Sequence, residues 1–257
     1  MKWLVLFFLL AICGMKCNAQ SQIDRSVRTI SPFKEFTYNW KDRYGRSVTT
    51  RFKVHIQDLD VGESEIKAPL GGKIEFTVTG NQDPDKLLEQ ELKKRFMRLD
   101  GKSGYVTYDY VGIKNRYRAV MKSLALALNQ QAPLDFRARI DFVVDFFRSF
   151  PYSQTFSGGR DFQSPIGVLV ENMGDCDSLS TAFASTMENL GYRVAFVIVP
   201  QHLFVAVAAD PKKGEQYCTY RGQKFVYLDI TSYGLPMGKV RDDFVSLLAT
   251  GDYTFLY

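Results

Sequence analysis

Three residues whose side chains can cooperate in chemistry follow one another in the second half of the sequence: Cys176, His202 and Asp229. Cys176 stands directly before an apolar-periodic stretch that ends at Gly191, which predicts a helix beginning near the cysteine. Unpaired backbone N–H groups and the helix dipole favour an anion at such a helix start, and the thiolate is the nucleophilic form of cysteine. His202 follows the next predicted strand and Asp229 ends a later one, so the three residues can act as nucleophile, general base and orienting carboxylate.

The alternative for Cys176 is structural, because a lone cysteine on a helix is more often a small buried apolar residue than a nucleophile. The sequence contains only two histidines, His55 and His202, so the order cysteine, histidine, aspartate is not easily filled by chance. His55 has the opposite strand parity to Val54 and Ile56, which predicts an exposed face and makes it a weak candidate base. The spacing therefore favours His202, and attack of the thiol on a carboxamide or peptide carbonyl would form a thioester.

Several short motifs accompany these residues between about residue 140 and residue 240, in a fixed order. They include a Phe-Pro-Tyr segment, a Ser-Pro helix start, the Gly-Asp-Cys-Asp core, a Leu-Gly-Tyr turn, a Pro-x-His and a strand end at the aspartate. They occupy 147–152, 164–171, 174–177, 190–194, 200–202 and 227–231.

Taken together, these motifs resemble the transglutaminase-like superfamily of papain-related cysteine enzymes, in particular a bacterial and archaeal branch with a Gly-Asp-Cys-Asp/Glu core. The resemblance implies a catalytic triad at Cys176, His202 and Asp229. It also implies an α+β fold with a papain-like or transglutaminase-like core, in which helices pack on an antiparallel sheet. The predicted activity is that of a cysteine peptidase or amidase.

The sequence departs from this family pattern near the presumed oxyanion site. Arg148 stands where relatives often have glutamine, so an oxyanion donor at that position is not expected. Gln154 and Gln163 are the candidate substrate-contacting or oxyanion side chains, on a loop that either forms a rim of the site or is a plain connector. The backbone N–H of Cys176 is a further candidate donor, because it lies at the helix start whatever the side chains are.

Two carboxylates flank the cysteine. Asp175 and Asp177 would raise the pKa of the thiol, but we expect them to cap the helix N-terminus and to fix the loop before it. On that interpretation the helix start and an imidazolium at His202 dominate, and the pKa of Cys176 is predicted to be depressed.

Residues 1–19 are predicted to be a signal peptide, which implies an exported protein in the periplasm or outside the cell. Lys2 supplies a basic start, 3–14 is apolar, and 17–19 resembles a small-x-small cleavage site. An uncleaved anchor is disfavoured because the apolar stretch is shorter than the roughly 20 residues that span a bilayer. Lipid attachment at Cys13 is disfavoured because the isoleucine before it is large.

The remaining sequence is predicted to comprise a β-rich region at 20–80, with a β-hairpin appendage, and a catalytic domain at 81–257 whose core is about 133–240. Residues 20–32 are polar and are expected to be loose. Alternation predicts strands, and helical periodicity with capping residues predicts helices. The strands are 34–40, 47–56, 73–79, 192–199, 203–209, 216–220 and 224–230, and the helices are 84–98, 115–128, 133–150, 165–171 and 179–190.

Composition and charge exclude several classes of function. The net charge is +5, and loss of Lys2 and Lys16 with the signal peptide lowers it to +3. The only clustered basic run, 93–95, is predicted to lie on the solvent-exposed face of a helix. Because no basic stripe accompanies it, no nucleic-acid partner is expected. No metal-ligand spacing is present, and neither a metal nor a cofactor is predicted. After signal cleavage no transmembrane span is expected, and Cys176 and Cys218 are predicted to remain unbridged.

Three functions remain open from the sequence. The first is a cysteine hydrolase acting on a protein or peptide, the second a protein-glutamine transglutaminase, and the third a non-catalytic peptide- or partner-binding module on the same fold. The complete triad argues against the third function, whereas Arg148 argues mildly for it.

Overall fold

The computed structural model describes residues 23–59, 83–99, 106–156 and 162–257. The predicted signal peptide, the predicted strand 73–79, the boundary at residues 80 and 81, and part of the candidate rim loop lie outside these ranges. The fold is of the α+β class, with antiparallel sheets and packed helices.

A five-stranded antiparallel sheet forms the centre of the fold. Its strands are β6 (Val194–Val199), β7 (His202–Ala208), β8 (Tyr217–Tyr220), β9 (Gln223–Leu228) and β10 (Thr254–Leu256). Their order across the sheet is β10-β6-β7-β9-β8. Branched and aromatic side chains fill both faces of β6 and β7, which suits strands covered on both sides. The predicted strands 192–199, 203–209, 216–220 and 224–230 are thereby confirmed within two residues.

The helices that pack on this sheet begin at well-formed caps. They are α4 (Phe136–Arg148), α5 (Pro165–Glu171) and α6 (Cys176–Asn189), capped by the side chains of Asp135, Ser164 and Asp175. Helix α6 packs against β7 and is buried along almost its whole length. Its small residues, such as Ala182 and Ala184, allow this close approach from several sides.

Two predicted helices have different bounds. The helix predicted at 84–98 is α1 (Pro84–Lys94), followed by the short antiparallel pair β4 (Met97–Leu99) and β5 (Val106–Tyr108). The helix predicted at 115–128 is α2 (Tyr110–Tyr117) and α3 (Lys122–Asn129). They are separated by a turn with i to i+3 hydrogen bonds, such as Lys122 N–H to Ala119 at 3.3 Å.

The N-terminal strands form a three-stranded sheet rather than a hairpin: β1 (Asp24–Ile30), β2 (Phe33–Lys41) and β3 (Ser47–His55). The expectation that 20–32 is loose was wrong for β1. Its side chains are almost all exposed, so the polar composition reflects an edge strand that is held by backbone pairing to β2.

This sheet shares the main hydrophobic core and is not a separate appendage. Trp40 on β2 packs on Phe142 and Phe146 of α4 at ring-centroid distances of 5.0 and 5.6 Å. Tyr38 packs on the same helix and donates a hydrogen bond to the carbonyl of Leu169, at the end of α5, at 2.6 Å. The strands therefore support the two helices that lead into the candidate site.

Within the described ranges, no helix combines the length and the apolar character that crossing a membrane requires.

We expect Trp40→Ala to lower the free energy of unfolding by about 3–5 kcal/mol, because it opens a large cavity between the N-terminal sheet and α4. Urea unfolding should remain a single transition for wild type and variant, since the N-terminal sheet and the helices share one hydrophobic core. Tyr44→Ala, at an aromatic residue that is 76% exposed in the β2–β3 turn, is the control and should change stability by less than about 0.5 kcal/mol. A separate, low-denaturant transition of the N-terminal strands would contradict the shared core.

Candidate active site

Cys176 is the first residue of α6, and the loop before it is fixed by two sets of contacts. The Asp175 side chain accepts a hydrogen bond from the Ser178 N–H at 2.8 Å, which confirms its predicted role as N-cap. Gly174 pairs with the segment at Tyr152, since Ser153 N–H donates to the Gly174 carbonyl at 3.1 Å. A Cβ at Gly174 would lie 2.8 Å from the Leu179 side chain, so glycine is required for this close approach.

The Cys176 thiol is buried and donates its hydrogen to Asp177 Oδ1 at 3.2 Å. The other carboxylate oxygen of Asp177 accepts a hydrogen bond from the Tyr110 hydroxyl. The sequence predicted that Asp177 caps the helix, and this was wrong. Its two oxygens instead accept hydrogen bonds from the side chains of Cys176 and Tyr110. The backbone N–H of Leu203 also donates a hydrogen bond to the sulfur.

The electrostatics at the thiol are the reverse of the prediction. Burial raises the pKa of Cys176 above its ordinary value, and the charges of Asp177 and Asp175 raise it further. The Leu203 N–H lowers the pKa but is outweighed. The predicted depressed pKa was wrong, because desolvation and two adjacent carboxylates exceed the stabilisation that one helix N-terminus provides. Cys176 therefore rests as a neutral thiol.

His202 and Asp229 are in direct contact. His202 opens β7 after a tight turn in which Gln201 adopts a left-handed conformation with φ of 62°. Asp229 directly follows the last residue of β9, the strand that pairs with β7. The His202 Nε2 lies 2.9 Å from Asp229 Oδ2, which matches the predicted contact between these two residues.

Asp229 is fully buried and remains ionised. Burial alone would raise its pKa, but hydrogen bonds from His202, Ser232 and Thr231 outweigh that effect and hold the pKa at about 2. Ser232 Oγ donates to Oδ2 at 2.6 Å, and Thr231 donates to Oδ1 through both its N–H and its hydroxyl at 3.0 Å. The carboxylate is thus a fixed negative charge in contact with Nε2 of the imidazole.

The contact with Asp229 assigns roles to the two nitrogens of His202. Nε2 faces the carboxylate, so Nδ1 is the nitrogen that could accept a proton from another group. The Cys176 sulfur accepts a hydrogen bond from the backbone N–H of Leu203, one residue beyond His202. The thiol hydrogen is donated to Asp177 rather than to the imidazole. The predicted hydrogen bond between Cys176 and His202 stays a prediction, which requires the thiol to turn from Asp177 toward Nδ1.

Arg148 supports the aspartate from behind. Its guanidinium donates to the backbone carbonyls of Asp229 at 2.6 Å, Leu235 at 2.8 Å and Ile230 at 3.3 Å. In return, the Tyr233 hydroxyl donates to the Arg148 carbonyl. Arg148 therefore fixes the loop that carries Asp229.

The two candidate glutamines occupy different environments. Gln163 is fully buried, its backbone N–H donates to Ser178 Oγ at 2.8 Å, and its carboxamide lies against Gly167 of α5. Gln154 is exposed, and its Nε2 donates to the Tyr152 hydroxyl at 3.4 Å. Of the two, only Gln154 lies on a solvent-facing rim.

Sequence analysis missed three aromatic residues at the site. The backbone of Tyr152 pairs with that of Gly174, two residues before the cysteine, and burial and the charges of Cys176 and Asp175 raise the pKa of the Tyr152 hydroxyl. Tyr110 contacts Asp177 across 67 positions of sequence, a separation that no local pattern reveals. Phe244 lies on α7 (Asp242–Thr250), where acidic residues at the start and Gly251 at the end were available as helix signals.

Cys176 and Cys218 are both free thiols, which confirms that they are not bridged. Among the described residues, no three histidine, cysteine, aspartate or glutamate side chains are arranged to hold a metal ion.

Comparison with known proteins does not show a family for this chain. No family model and no curated protein matches the sequence. A solved structure described as a "Putative Cysteine Protease from Cytophaga hutchinsonii" aligns with a TM-score of 0.32 and 11% identity, covering 92% of this chain and 76% of that chain. This similarity is too low to carry an argument about fold or activity, so the function below is argued from the site.

We expect Asp177→Asn to increase the rate of Cys176 alkylation by iodoacetamide several-fold at pH 7. The substitution removes one of the charges that raise the thiol pKa, and it removes the carboxylate that holds the thiol hydrogen. Asp135→Asn makes the same change at the cap of α4, far from the thiol, and should leave the rate unchanged. An equal or slower rate in Asp177→Asn would show that Asp177 does not hold the thiol neutral.

Asp229 should make stability depend on pH in a defined window. Its pKa in the folded protein, about 2, is below its ordinary value of 3.8, so its contribution is present above that ordinary value and is lost as the pH falls toward 2. We expect the stability difference between wild type and Asp229→Asn, measured by urea unfolding, to shrink by about 2 kcal/mol between pH 5 and pH 2. The exposed carboxyl in Asp210→Asn should give no such trend, and a difference for Asp229→Asn that stays constant with pH would refute the assignment.

Proposed function

We propose that this protein is an exported cysteine hydrolase of the transglutaminase-like type, a peptidase or amidase that acts on a protein or peptide. The observation that carries the proposal is the 2.9 Å contact between His202 Nε2 and buried Asp229, beside a cysteine at a capped helix start. An imidazole fixed through Nε2 by an ionised carboxylate presents Nδ1 as a base.

The proposed reaction begins when a substrate carbonyl approaches Cys176. The thiol leaves Asp177 and transfers its proton to His202 Nδ1, and the sulfur forms a bond to the carbonyl carbon. The C–N bond of the tetrahedral intermediate then breaks, and the imidazolium returns the proton to the leaving amine. Water attacks the resulting thioester, with His202 as base, and releases the acid and the free thiol.

The developing negative charge on the carbonyl oxygen needs donors. The Asp175 cap engages the Ser178 N–H, which leaves the N–H of Cys176, in the first turn of α6, outside the helical hydrogen bonds. We assign this N–H as an oxyanion donor. We assign Tyr152, whose backbone pairs with Gly174 just before α6, as the side chain that lines the same space.

One observation favours the non-catalytic alternative. The thiol pKa is raised and the thiol hydrogen is held by a carboxylate, which is the state of an unreactive cysteine. In a binding module, His202 and Asp229 would serve only to stabilise the end of the sheet. The catalytic and non-catalytic functions differ in whether His202 controls the reactivity of Cys176.

We expect wild-type protein to react with a thiol-directed acylating probe at Cys176, and this labelling to be abolished in Cys176→Ala. His202→Ala should reduce labelling by at least about tenfold, because the proton acceptor is lost. Cys218→Ser is the matched control, since it removes the other described thiol and should leave labelling unchanged. Mass spectrometry of the labelled peptides measures each rate.

The same variants should be tested for hydrolysis of a peptide mixture, with and without an added primary amine. Release of new peptide termini by wild type but not by Cys176→Ala supports the hydrolase. Amine incorporation into glutamine would replace it by the transglutaminase. If His202→Ala labels as fast as wild type and no peptide is cleaved, the binding-module function is correct.

A further inference from the structure

Phe244 lies flat against the face of the His202 imidazole. The two ring centroids are 4.9 Å apart and the rings are inclined by only 14°, which is a stacked arrangement. Phe244 is 5% exposed and the His202 side chain is 10% exposed, so this face of the imidazole is shielded from water. No step of the proposed reaction uses Phe244.

A charged residue also lies against the Phe244 ring. The Arg241 guanidinium carbon lies 4.6 Å from the centroid of the Phe244 ring, a cation–π distance. Arg241 is itself fixed by Asp243, whose Oδ1 accepts from its Nε at 3.0 Å. The Phe244 ring therefore contacts both the guanidinium and the imidazole.

The backbone holds this stack in register with the strand that carries His202. Strand β10, which follows α7, pairs with β6 so that Thr254 is opposite Ile198. Strand β6 in turn pairs with β7, where Val199 is opposite His202. Helix α7 is thus attached to the same end of the sheet as the histidine, and Phe244 joins the hydrophobic cluster that includes Phe204.

We propose that Phe244 is a positioning residue that fixes the plane of the His202 imidazole. The Asp229 contact restrains only one ring atom, whereas the ring can still rotate about its bond to Cβ. Stacking on Phe244 opposes that rotation, so Nε2 stays on the carboxylate and Nδ1 stays directed toward the nucleophile. The catalytic meaning of this role rests on the proposed function, but the placement of the ring does not.

The experiment compares three variants at position 244. Phe244→Leu and Phe244→Met keep an apolar side chain of similar size but lose the flat ring, and Phe244→Tyr retains it. Phe225→Leu is the matched control, because Phe225 is buried in the same cluster and its ring packs on Phe255 and Tyr257. Thermal melting confirms that each variant is folded, and Phe244→Met serves if Phe244→Leu is not.

The first measurement is NMR of the imidazole nitrogens, which is simple because the sequence has only two histidines and His55→Gln assigns the signals. We expect a slowly exchanging Nε2–H in wild type, Phe244→Tyr and Phe225→Leu, and its loss in the Leu and Met variants at position 244. The second measurement is turnover, where the same two variants should lose about tenfold to a hundredfold in kcat with little change in KM.

The two readouts separate the two claims. Loss of the Nε2–H signal with no hydrolysis even in wild type supports the positioning role and refutes the proposed function. An unchanged Nε2–H signal in the Leu and Met variants overturns the positioning role. The same loss in Phe225→Leu also overturns it, because the effect would then come from general loosening of the cluster.

Discussion

The buried carboxylate of Asp229 is the interaction on which the rest of the site depends. Removing an ionised carboxylate from water is costly unless its oxygens are fully hydrogen-bonded. Here five donors, from His202, Ser232 and Thr231, satisfy it and keep it charged. Such a set of contacts exists only when β7 and β9 are paired in one register and the chain turns immediately after β9. The hydrogen bonds that a buried charge requires thus constrain the geometry of β7, of β9 and of the loop that follows β9.

Support for that carboxylate reaches well beyond the sheet. Arg148, at the end of α4, binds the backbone of the loop that carries Asp229, and α4 is itself packed on the N-terminal sheet through Phe146 and Trp40. On the other side, the C-terminal helix shields His202 through Phe244. Both ends of the described chain therefore contribute to the placement of one imidazole, although neither supplies a reacting atom.

The elements that the sequence predicted well are those whose signals are local. Helix α5 has a serine cap and a proline at its first turn, and its bounds were predicted correctly at 165–171. The first strand was missed because an edge strand with exposed side chains has the composition of a loop. Helix α7 was missed because the recognised motifs end before it, although its own start and stop residues were present. The contact between Tyr110 and Asp177 depends on tertiary packing, which no single segment encodes.

The state of Cys176 shows why residue types alone do not settle reactivity. The sequence presents a helix start and two carboxylates, whose effects on a thiol oppose each other. Only Asp175 is used as a cap, so the charge of Asp177 remains beside the sulfur and accepts its hydrogen. Burial adds to this charge, and the thiol rests in its neutral form. Activation in the proposed hydrolase is then general-base catalysis by His202 at the moment of attack, rather than the prior formation of a thiolate–imidazolium pair. The precise orientation of the imidazole matters more for such a mechanism, because the base must receive the proton while the carbon–sulfur bond forms.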